Sequence, residues 1–167
     1  MRIVFAGSHG VGKSTLITEI SKEMLPDIYV FNSLCRPHEK LLSKLSARGK
    51  QRFINYWYVF NHWKTASYLS ARSIYDTWAY SQLTVNSDFH LNLFHWAMHH
   101  IWYDYLFYVP VEFDLVEDGI RPEGRDFQLL HDKRLKAILD YNQIPYHTLT
   151  GTIEKRTQQV KDILGYD

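Results

Sequence analysis

A glycine-rich stretch near the amino terminus has the residue types and spacing of a phosphate-binding loop. Residues 7–15, GSHGVGKST, satisfy the pattern G-x-x-x-x-G-K-[ST]. Gly7 and Gly12 allow backbone N–H groups to turn inward around phosphate oxygens, and the following helix adds its positive end. Lys13 would reach the β- and γ-phosphates, and the Ser14 hydroxyl would ligate Mg²⁺. The predicted nucleotide-binding residues are Ser8, His9, Gly10, Val11, Gly12, Lys13, Ser14 and Thr15.

The segments on either side of this loop have the order that phosphate binding needs. The apolar run of residues 3–6 precedes the loop and is typical of a buried strand. After the loop, apolar residues recur at three- and four-residue spacings from Leu16 to Met24, which is typical of a helix. With both flanks in place, a binding site for a nucleoside triphosphate is a better interpretation than a chance match in an ordinary turn.

Strand-like and helix-like segments alternate along the rest of the chain. Further strands are predicted at residues 28–31, 67–70, 105–109 and 146–149. Helices are predicted at residues 37–63, with an interruption near Gly49, and through residues 75–79. Another helix is predicted to start from an N-cap in 86–88 and to run to about His100. The last two are predicted at residues 127–141 and from the N-cap Thr152 to Leu164. The alternation predicts an α/β fold with a doubly wound parallel sheet and helices on both faces, in one domain spanning residues 1–167.

The composition limits the possible partners and compartments. The 167 residues include 19 Lys and Arg against 18 Asp and Glu, a net charge of +1, so no broad nucleic-acid footprint is visible. The single cysteine, Cys35, excludes an internal disulfide framework and is typical of a reducing compartment. Because we find no signal peptide and no membrane-spanning stretch, we expect a cytoplasmic protein with no membrane partner.

A charged segment late in the chain favours a kinase over other proteins with such loops. The N-K-x-D motif of GTPases is absent, and the third predicted strand continues into Ala71 and Arg72 instead of the Asp that is typical of ATPases. Residues 117–126 follow the fourth strand and carry Arg121 and Arg125. Guanidinium groups around a transferring phosphate stabilise its negative charge, so this segment is interpreted as a lid, with a solvated loop as the alternative.

Four segments together resemble a known kinase family. They are the loop at residues 7–15, residues 72–80, residues 118–121 and residues 149–156. On these the chain resembles the NadR-type AAA_28 family of small P-loop kinases, which is related to nucleoside and nucleotide kinases and includes phage-encoded members. The resemblance implies use of ATP and Mg²⁺ and a three-layer sandwich whose five parallel strands have the order 2-3-1-4-5.

The resemblance also assigns roles to individual residues. It implies that Arg72 contacts the substrate or the transferring phosphate, and that Arg121 and Arg125 are lid arginines. It further implies that the turn at Gly151, with Arg156 beyond it, lies near the adenine. The acceptor implied is a nucleoside or nucleotide, through a hydroxyl or a phosphate.

The chain departs from the family at the acids that hold Mg²⁺ or take a proton. The position before Arg72 is Ala71, where the family has Asp or Glu, and residues 32–36 contain no carboxylate. Asp76, one helical turn after Arg72, and Asp118, at the lid hinge, are the candidates to replace the missing acid. Alternatively, the protein binds nucleotides as a sensor module and transfers phosphate weakly or not at all.

An aromatic run raises a second possible acceptor. Residues 53–63 are rich in aromatic side chains, and a basic cluster at Arg48, Lys50 and Arg52 precedes them. These features would suit a hydroxylated base in DNA, although the net charge does not favour a nucleic acid. For either acceptor, the hypothesis is that a ring of Tyr56, Phe60 or Trp63 stacks on the base and that Asn61 and His62 hydrogen-bond to it.

A pair of histidines has the spacing of metal ligands. His95 and His99 are four residues apart, which places both imidazoles on one face of a helix. No third ligand is identifiable nearby, so a packed or exposed pair is the better interpretation.

Overall fold

A five-stranded parallel sheet organises the chain in the computed structural model, which describes residues 1–31, 34, 38–86, 88–112 and 124–166. The strands are β1 (Arg2–Ala6), β2 (Val30–Phe31), β3 (Tyr68–Ser70), β4 (Tyr105–Tyr108) and β5 (His147–Thr148). Their order is β2-β3-β1-β4-β5, and every neighbouring pair is parallel. The predicted fold class and the order 2-3-1-4-5 are therefore confirmed.

Seven helices occur within the described part of the chain. They are α1 (Lys13–Glu23), α2 (Glu39–Leu42), α3 (Ala47–Lys64), α4 (Ile74–Thr84), α5 (Leu91–His100), α6 (Arg125–Tyr141) and α7 (Ile153–Leu164). The last of them begins as predicted, because the Thr152 hydroxyl accepts the backbone N–H of Lys155 at 3.4 Å.

Side chains of β1 alternate between two apolar cores on opposite faces of the sheet. Ile3 and Phe5 pack with apolar residues of α1 and α7. Val4 and Ala6 pack with apolar residues of α3, α4, α5 and α6. All five residues of β1 are buried, as expected for the central strand of a sheet covered on both faces.

The interruption of the long second helical region lies earlier than Gly49. Helix α2 ends at Leu42, and α3 begins at Ala47 after the N-cap Ser46. The Ser46 hydroxyl accepts the backbone N–H of Gly49 at 3.1 Å, so Gly49 lies inside the first turn of α3. The predicted interruption is therefore confirmed, but it precedes Gly49, because the serine cap decides where α3 begins and one glycine near a helix start does not end the helix.

Helix α5 also begins later than its predicted cap. Its N-cap is His90, in the left-handed conformation with φ 59°, and no side chain caps the helix. Asp88 instead belongs to a turn in which its backbone N–H donates to the Asn86 side chain at 3.1 Å. The prediction that 86–88 holds the N-cap is therefore wrong, because the asparagine closes a local turn before the helix starts.

Candidate active site

The glycine-rich loop, residues 7–12, connects the carboxyl end of β1 to the first residue of α1. Gly12 is the N-cap of α1 at φ 89°, a conformation that side chains rarely adopt, and its carbonyl accepts the N–H of Leu16 at 3.0 Å. Gly7 has no room for a side chain, because an added Cβ would collide with the carbonyl oxygen of Val109. The two glycines that the motif requires are therefore needed by the backbone path itself.

Lys13 occupies the centre of this loop. Its side chain is 9% exposed, and its ammonium donates to the carbonyl of Gly7 at 2.7 Å and to that of Ser8. The Ser8 hydroxyl is buried and makes no hydrogen bond among the described residues. Ser14 and Thr15 are exposed in the first turn of α1. The buried ammonium of Lys13 and the exposed start of α1 are suited to the phosphates of a nucleotide. The hydroxyls of Ser8 and Ser14 are oxygen ligands of the kind that suits Mg²⁺ or a phosphate.

Asp76 links the loop to the start of α4. One carboxylate oxygen accepts the backbone N–H of Gly7 at 2.9 Å. The other accepts the N–H of Ser73 at 2.8 Å and its hydroxyl at 2.6 Å, which forms a capping box on α4. The side chain of Asp76 is 1% exposed. Both oxygens therefore hold backbone and cap donors, and the carboxylate fixes the first residue of the loop.

A buried histidine of α6, His131, interacts electrostatically with three residues that the sequence analysis predicted for the site. They are Arg72, Asp76 and Lys13. Burial lowers the pKa of His131 to about 4; Asp76 opposes this shift, and Arg72 and Lys13 reinforce it. The Nε2 atom of His131 lies 3.1 Å from the carbonyl oxygen of Asp76. Arg72 is half-buried, with its guanidinium carbon 6.0 Å from the ring centroid of Tyr80. The structure thus brings these three predicted residues together.

Helix α6 supports the loop through Gln128, a residue that the sequence analysis missed. The Gln128 side chain is fully buried and donates to the carbonyl of His9 at 2.7 Å. It also accepts a hydrogen bond from the Arg125 guanidinium at 2.9 Å. Arg125 is therefore connected to the phosphate-binding loop through one side chain. The spacing of three residues at a helix start was the only sequence signal for this pair.

Asp132 is a second missed residue of α6. The hydroxyl of Tyr108, at the end of β4, donates to one oxygen of its carboxylate at 2.8 Å. The other oxygen is buried and has no hydrogen-bond partner among the described residues. Burial raises the pKa of Asp132 above its ordinary value, and the charge of Lys13 acts against this shift. No sequence signal distinguished Asp132 from the other polar residues of an amphipathic helix.

Arg156 of α7 holds the opposite side of the loop. Its side chain is 1% exposed, and it donates to the carbonyl of Val11 at 2.7 Å and to the Glu112 carboxylate at 2.9 Å. Glu112 also accepts the backbone N–H of Gly151 at 2.7 Å. Desolvation raises the pKa of Glu112, but these two hydrogen bonds outweigh it and hold the pKa below its ordinary value. Gly151 and Arg156 are therefore joined to the loop through one carboxylate.

Two predicted residues and most of the predicted lid lie outside the described residues. The two residues are Asp118 and Arg121, and both belong to the lid segment 117–123, none of which is described. Residues 124–126 are described, and α6 begins within them at Arg125.

Two residues of the aromatic run do not join the site. His62 has no exposed surface, and its ring nitrogens lie 2.9 Å from the Tyr103 hydroxyl and 3.2 Å from that of Ser70. Burial lowers the pKa of His62 to about 3. The carbonyl of Trp63 accepts a hydrogen bond from Arg2 at the amino end of β1, the edge opposite the loop. The hypothesis that the His62 side chain contacts an acceptor is therefore wrong, and Trp63 lies near the amino end of β1 instead of beside the loop.

Neither a membrane span nor a metal cluster is found in the parts of the chain that the structure describes. None of the helices there has the length and apolar character needed to cross a bilayer. In the same parts, no three His, Cys, Asp or Glu side chains gather where a metal ion could bind, and this includes His95 and His99.

The fold is shared with solved structures of several kinases. No family model and no curated protein sequence matches the chain. A deoxyadenosine kinase from M. mycoides superposes with a TM-score of 0.72 at 12% identity over 99% of this chain and 98% of that one. A NadR protein in complex with NR gives 0.74 at 14% identity, over 98% of this chain and 50% of that one. A thymidylate kinase from Candida albicans gives 0.65 at 20% identity over 98% and 90%.

Proposed function

We propose that this protein is an ATP- and Mg²⁺-dependent phosphotransferase. It moves the γ-phosphate of ATP to a hydroxyl or phosphate of a nucleoside, a nucleotide or a related acceptor. The observation that carries this proposal is the loop around Lys13, braced from three helices by Asp76, Gln128 and Arg156. A rigid loop at this edge of a nucleotide-kinase fold is suited to hold phosphates in one position, which is most of what phosphoryl transfer requires.

Most of the predicted residues receive a role in this proposal. Lys13 and the backbone amides of residues 10–15 hold the β- and γ-phosphates, and Ser14 ligates Mg²⁺, which supplies charge neutralisation. Arg72 and Arg125, with Arg121 from the lid, stabilise the charge of the transferring phosphate. Gly151 and Arg156 border the adenine. Their shared contact with Glu112 keeps that border fixed relative to the loop.

The contacts of Asp76 change its proposed role. Because both of its oxygens already accept hydrogen bonds, we assign Asp76 to positioning the loop instead of acting as the base. Asp132 is better suited to replace the acid missing at Ala71. One of its carboxylate oxygens has no hydrogen-bond partner among the described residues. The charges of Lys13 and Asp76 also act on the pKa of Asp132, so it lies near both. Asp118 stays a further candidate in the proposed lid.

Replacing Asp132 with asparagine is expected to lower the transfer rate about 100-fold, as for loss of a general base. ATP affinity should stay within about twofold, because Asp132 does not belong to the loop that holds the phosphates. Burial raises the pKa of Asp132 above its ordinary value of 3.8, so the proposed base is protonated at a higher pH than usual. The wild-type rate is therefore expected to fall on acidification at a pH above 3.8. This fall is expected to be absent in the Asp132→Asn variant. Steady-state rates against pH measure both effects.

The matched control is Asp140→Asn, an exposed carboxylate of the same helix. Its rate and pH profile should equal those of the wild type. Since a raised pKa means that ionised Asp132 opposes folding at neutral pH, Asp132→Asn should also melt no lower than the wild type. An unchanged rate, or a rate loss explained by a lower melting temperature, would remove Asp132 from the mechanism.

The proposed function is tested by offering γ-labelled ATP with Mg²⁺ and separate pools of nucleosides, nucleoside monophosphates, and single- and double-stranded DNA. Label on a nucleoside or nucleotide supports the proposal. Label on DNA carrying a hydroxylated base would replace it with the nucleic-acid alternative. Label released as inorganic phosphate with no labelled acceptor would contradict it.

One observation favours a second candidate, a nucleotide-binding sensor module. Position 71 is alanine, and both carboxylate oxygens of the nearest downstream acid, Asp76, already accept hydrogen bonds from backbone N–H groups. If Asp132 also proves dispensable, neither of the two acids that we consider within the described residues would assist transfer. Calorimetry would then show ATP binding that depends on Lys13, with no transfer to any acceptor pool.

A further inference from the structure

The turn between β3 and α4, residues 71–73, is held by a buried network that the proposed mechanism does not use. Its members are His62 of α3, Ser70 at the end of β3 and Tyr103 between α5 and β4, and His62 links the other two. We call these three residues the supporting network. His62 has no exposed surface and Ser70 is 1% exposed. The supporting network therefore acts on the site through the turn and not by contact with a ligand.

The hydrogen bonds of the supporting network have a single consistent direction. The backbone N–H of Ile74 donates to the Tyr103 hydroxyl at 2.9 Å, which leaves the hydroxyl hydrogen for Nδ1 of His62, also at 2.9 Å. The Ser70 hydroxyl donates to the carbonyl of Arg72 at 2.7 Å and therefore accepts from Nε2 of His62 at 3.2 Å. These neighbours assign a neutral His62 with its hydrogen on Nε2.

The His62 ring is fixed in this orientation. Burial, with a smaller effect of the Arg2 charge, lowers the pKa of His62 to about 3, so the ring is neutral at neutral pH. The ring stacks on Tyr68 with centroids 4.8 Å apart and lies 5.4 Å from the ring of Phe31. A buried polar network whose donors and acceptors are paired holds its members in one geometry. The ring is therefore a rigid support between two hydroxyls.

The supporting network holds both ends of the turn. At one end, the Ser70 hydroxyl donates to the Arg72 carbonyl, and its oxygen accepts the Arg72 N–H at 3.3 Å. At the other end, Tyr103 accepts the N–H of Ile74, the first residue of α4. Asp76 joins the same turn to the glycine-rich loop. The backbone of Arg72 therefore has a fixed position relative to that loop.

We propose that His62, Ser70 and Tyr103 are positioning residues for Arg72. This inference rests on the proposed function, in which the Arg72 guanidinium stabilises the charge of the transferring phosphate. That stabilisation requires a donor already in place, because electrostatic catalysis relies on groups that do not reorganise during the reaction. Displacing the turn misplaces the guanidinium and slows transfer, without removing the groups that bind ATP.

The alternative is a network that stabilises the fold and has no effect on catalysis. Loss of one hydroxyl would then lower the melting temperature, while transfer by the folded protein would stay at the wild-type rate. Positioning predicts a lower rate in protein that is still folded, and it predicts that this loss depends on Arg72. The rate and its dependence on Arg72 therefore separate the two roles.

Tyr103→Phe and Ser70→Ala each remove one hydroxyl of the supporting network and add no new group. Each is expected to lower kcat roughly 10- to 100-fold, the effect of misplacing a catalytic group. The KM for ATP should stay within about twofold, because neither side chain belongs to the loop that holds the phosphates. Steady-state transfer of label from ATP measures both constants, at a temperature where circular dichroism shows each variant to be folded.

A double-mutant cycle with Arg72→Ala tests whether the supporting network acts through Arg72. Tyr103→Phe should lower kcat in the wild-type background and change it by less than about twofold in the Arg72→Ala background. The control is Tyr141→Phe, which changes a tyrosine of α6 that is 88% exposed and should keep the wild-type rate. Wild-type kcat in both network variants, or losses that multiply in the Arg72→Ala background, would overturn the proposal.

Amide exchange at Ile74, followed by NMR, tests the supporting network independently of catalysis. Tyr103→Phe should raise the exchange rate of this N–H about fivefold, as for loss of one hydrogen bond, and Tyr141→Phe should leave it unchanged. Unchanged exchange in Tyr103→Phe would overturn the network. Failure of the proposed function is seen separately, as a wild type that labels no acceptor. Faster exchange at Ile74 would in that case support the hold on the turn and overturn its role in transfer.

Discussion

Replacing Lys13 with alanine is expected to lower phosphoryl transfer by about 10²–10³-fold, the effect of losing one charge-stabilising donor. The ammonium is almost completely buried and lies against the carbonyls of Gly7 and Ser8, inside the loop that would enclose the phosphates. No other lysine belongs to the loop sequence 7–15. ATP affinity, measured by calorimetry, should fall together with the transfer rate.

The matched control for this substitution is Lys22→Ala, which removes an exposed ammonium from the last turn of the same helix. It should bind ATP and transfer phosphate as the wild type does. Equal rates for Lys13→Ala and the wild type would place the reaction elsewhere and contradict the proposed function. Loss of both binding and transfer in Lys13→Ala alone is the expected result.

Replacing Asp76 with alanine is expected to destabilise the fold by about 3 kcal/mol, because it leaves buried donors unsatisfied. These donors are the backbone N–H of Gly7 and the N–H and hydroxyl of Ser73. The melting temperature should fall by roughly 6–12 °C, and ATP binding should weaken because Gly7 loses its anchor. Calorimetric melting and ATP titration measure the two effects.

Two further variants separate the positioning role of Asp76 from a role as the base. Asp76→Asn keeps one oxygen that can accept a hydrogen bond and should lose less stability than Asp76→Ala. Asp27→Ala, which removes an exposed carboxylate, should melt with the wild type. A variant Asp76→Asn with the melting temperature and ATP affinity of the wild type but no transfer would restore Asp76 as the base.

Local features of the fold could be predicted from the sequence because they depend on neighbouring residues. The strand before the loop, the turn made by Gly7 and Gly12, and the helix after it follow from residue types within two dozen positions. The cap at Thr152 is equally local. The strand order came from the resemblance, since alternation of strands and helices predicts a parallel sheet without ordering its strands.

The composition of the site could not be predicted in the same way. Gln128 and Asp132 are ordinary polar positions of an amphipathic helix until α6 packs beside the loop and β4. Trp63 and His62 are close to basic residues in sequence, yet one lies at the far edge of the sheet and the other in the core. Contacts across the sheet join residues that are far apart in sequence, so residue types alone do not show which side chains meet at the loop.

The sequence by itself predicted a phosphate-binding loop and located it between a strand and a helix, because a glycine-rich turn of this kind is a local property of the backbone. Only the tertiary structure decided which hydrogen-bond donors surround each acid. Where α4 packs against the loop, both oxygens of Asp76 accept hydrogen bonds from backbone and cap donors. Where α6 packs, one oxygen of Asp132 is buried and has no donor among the described residues. Carboxylates are alike in sequence and differ only through the donors and charges that the fold places around them.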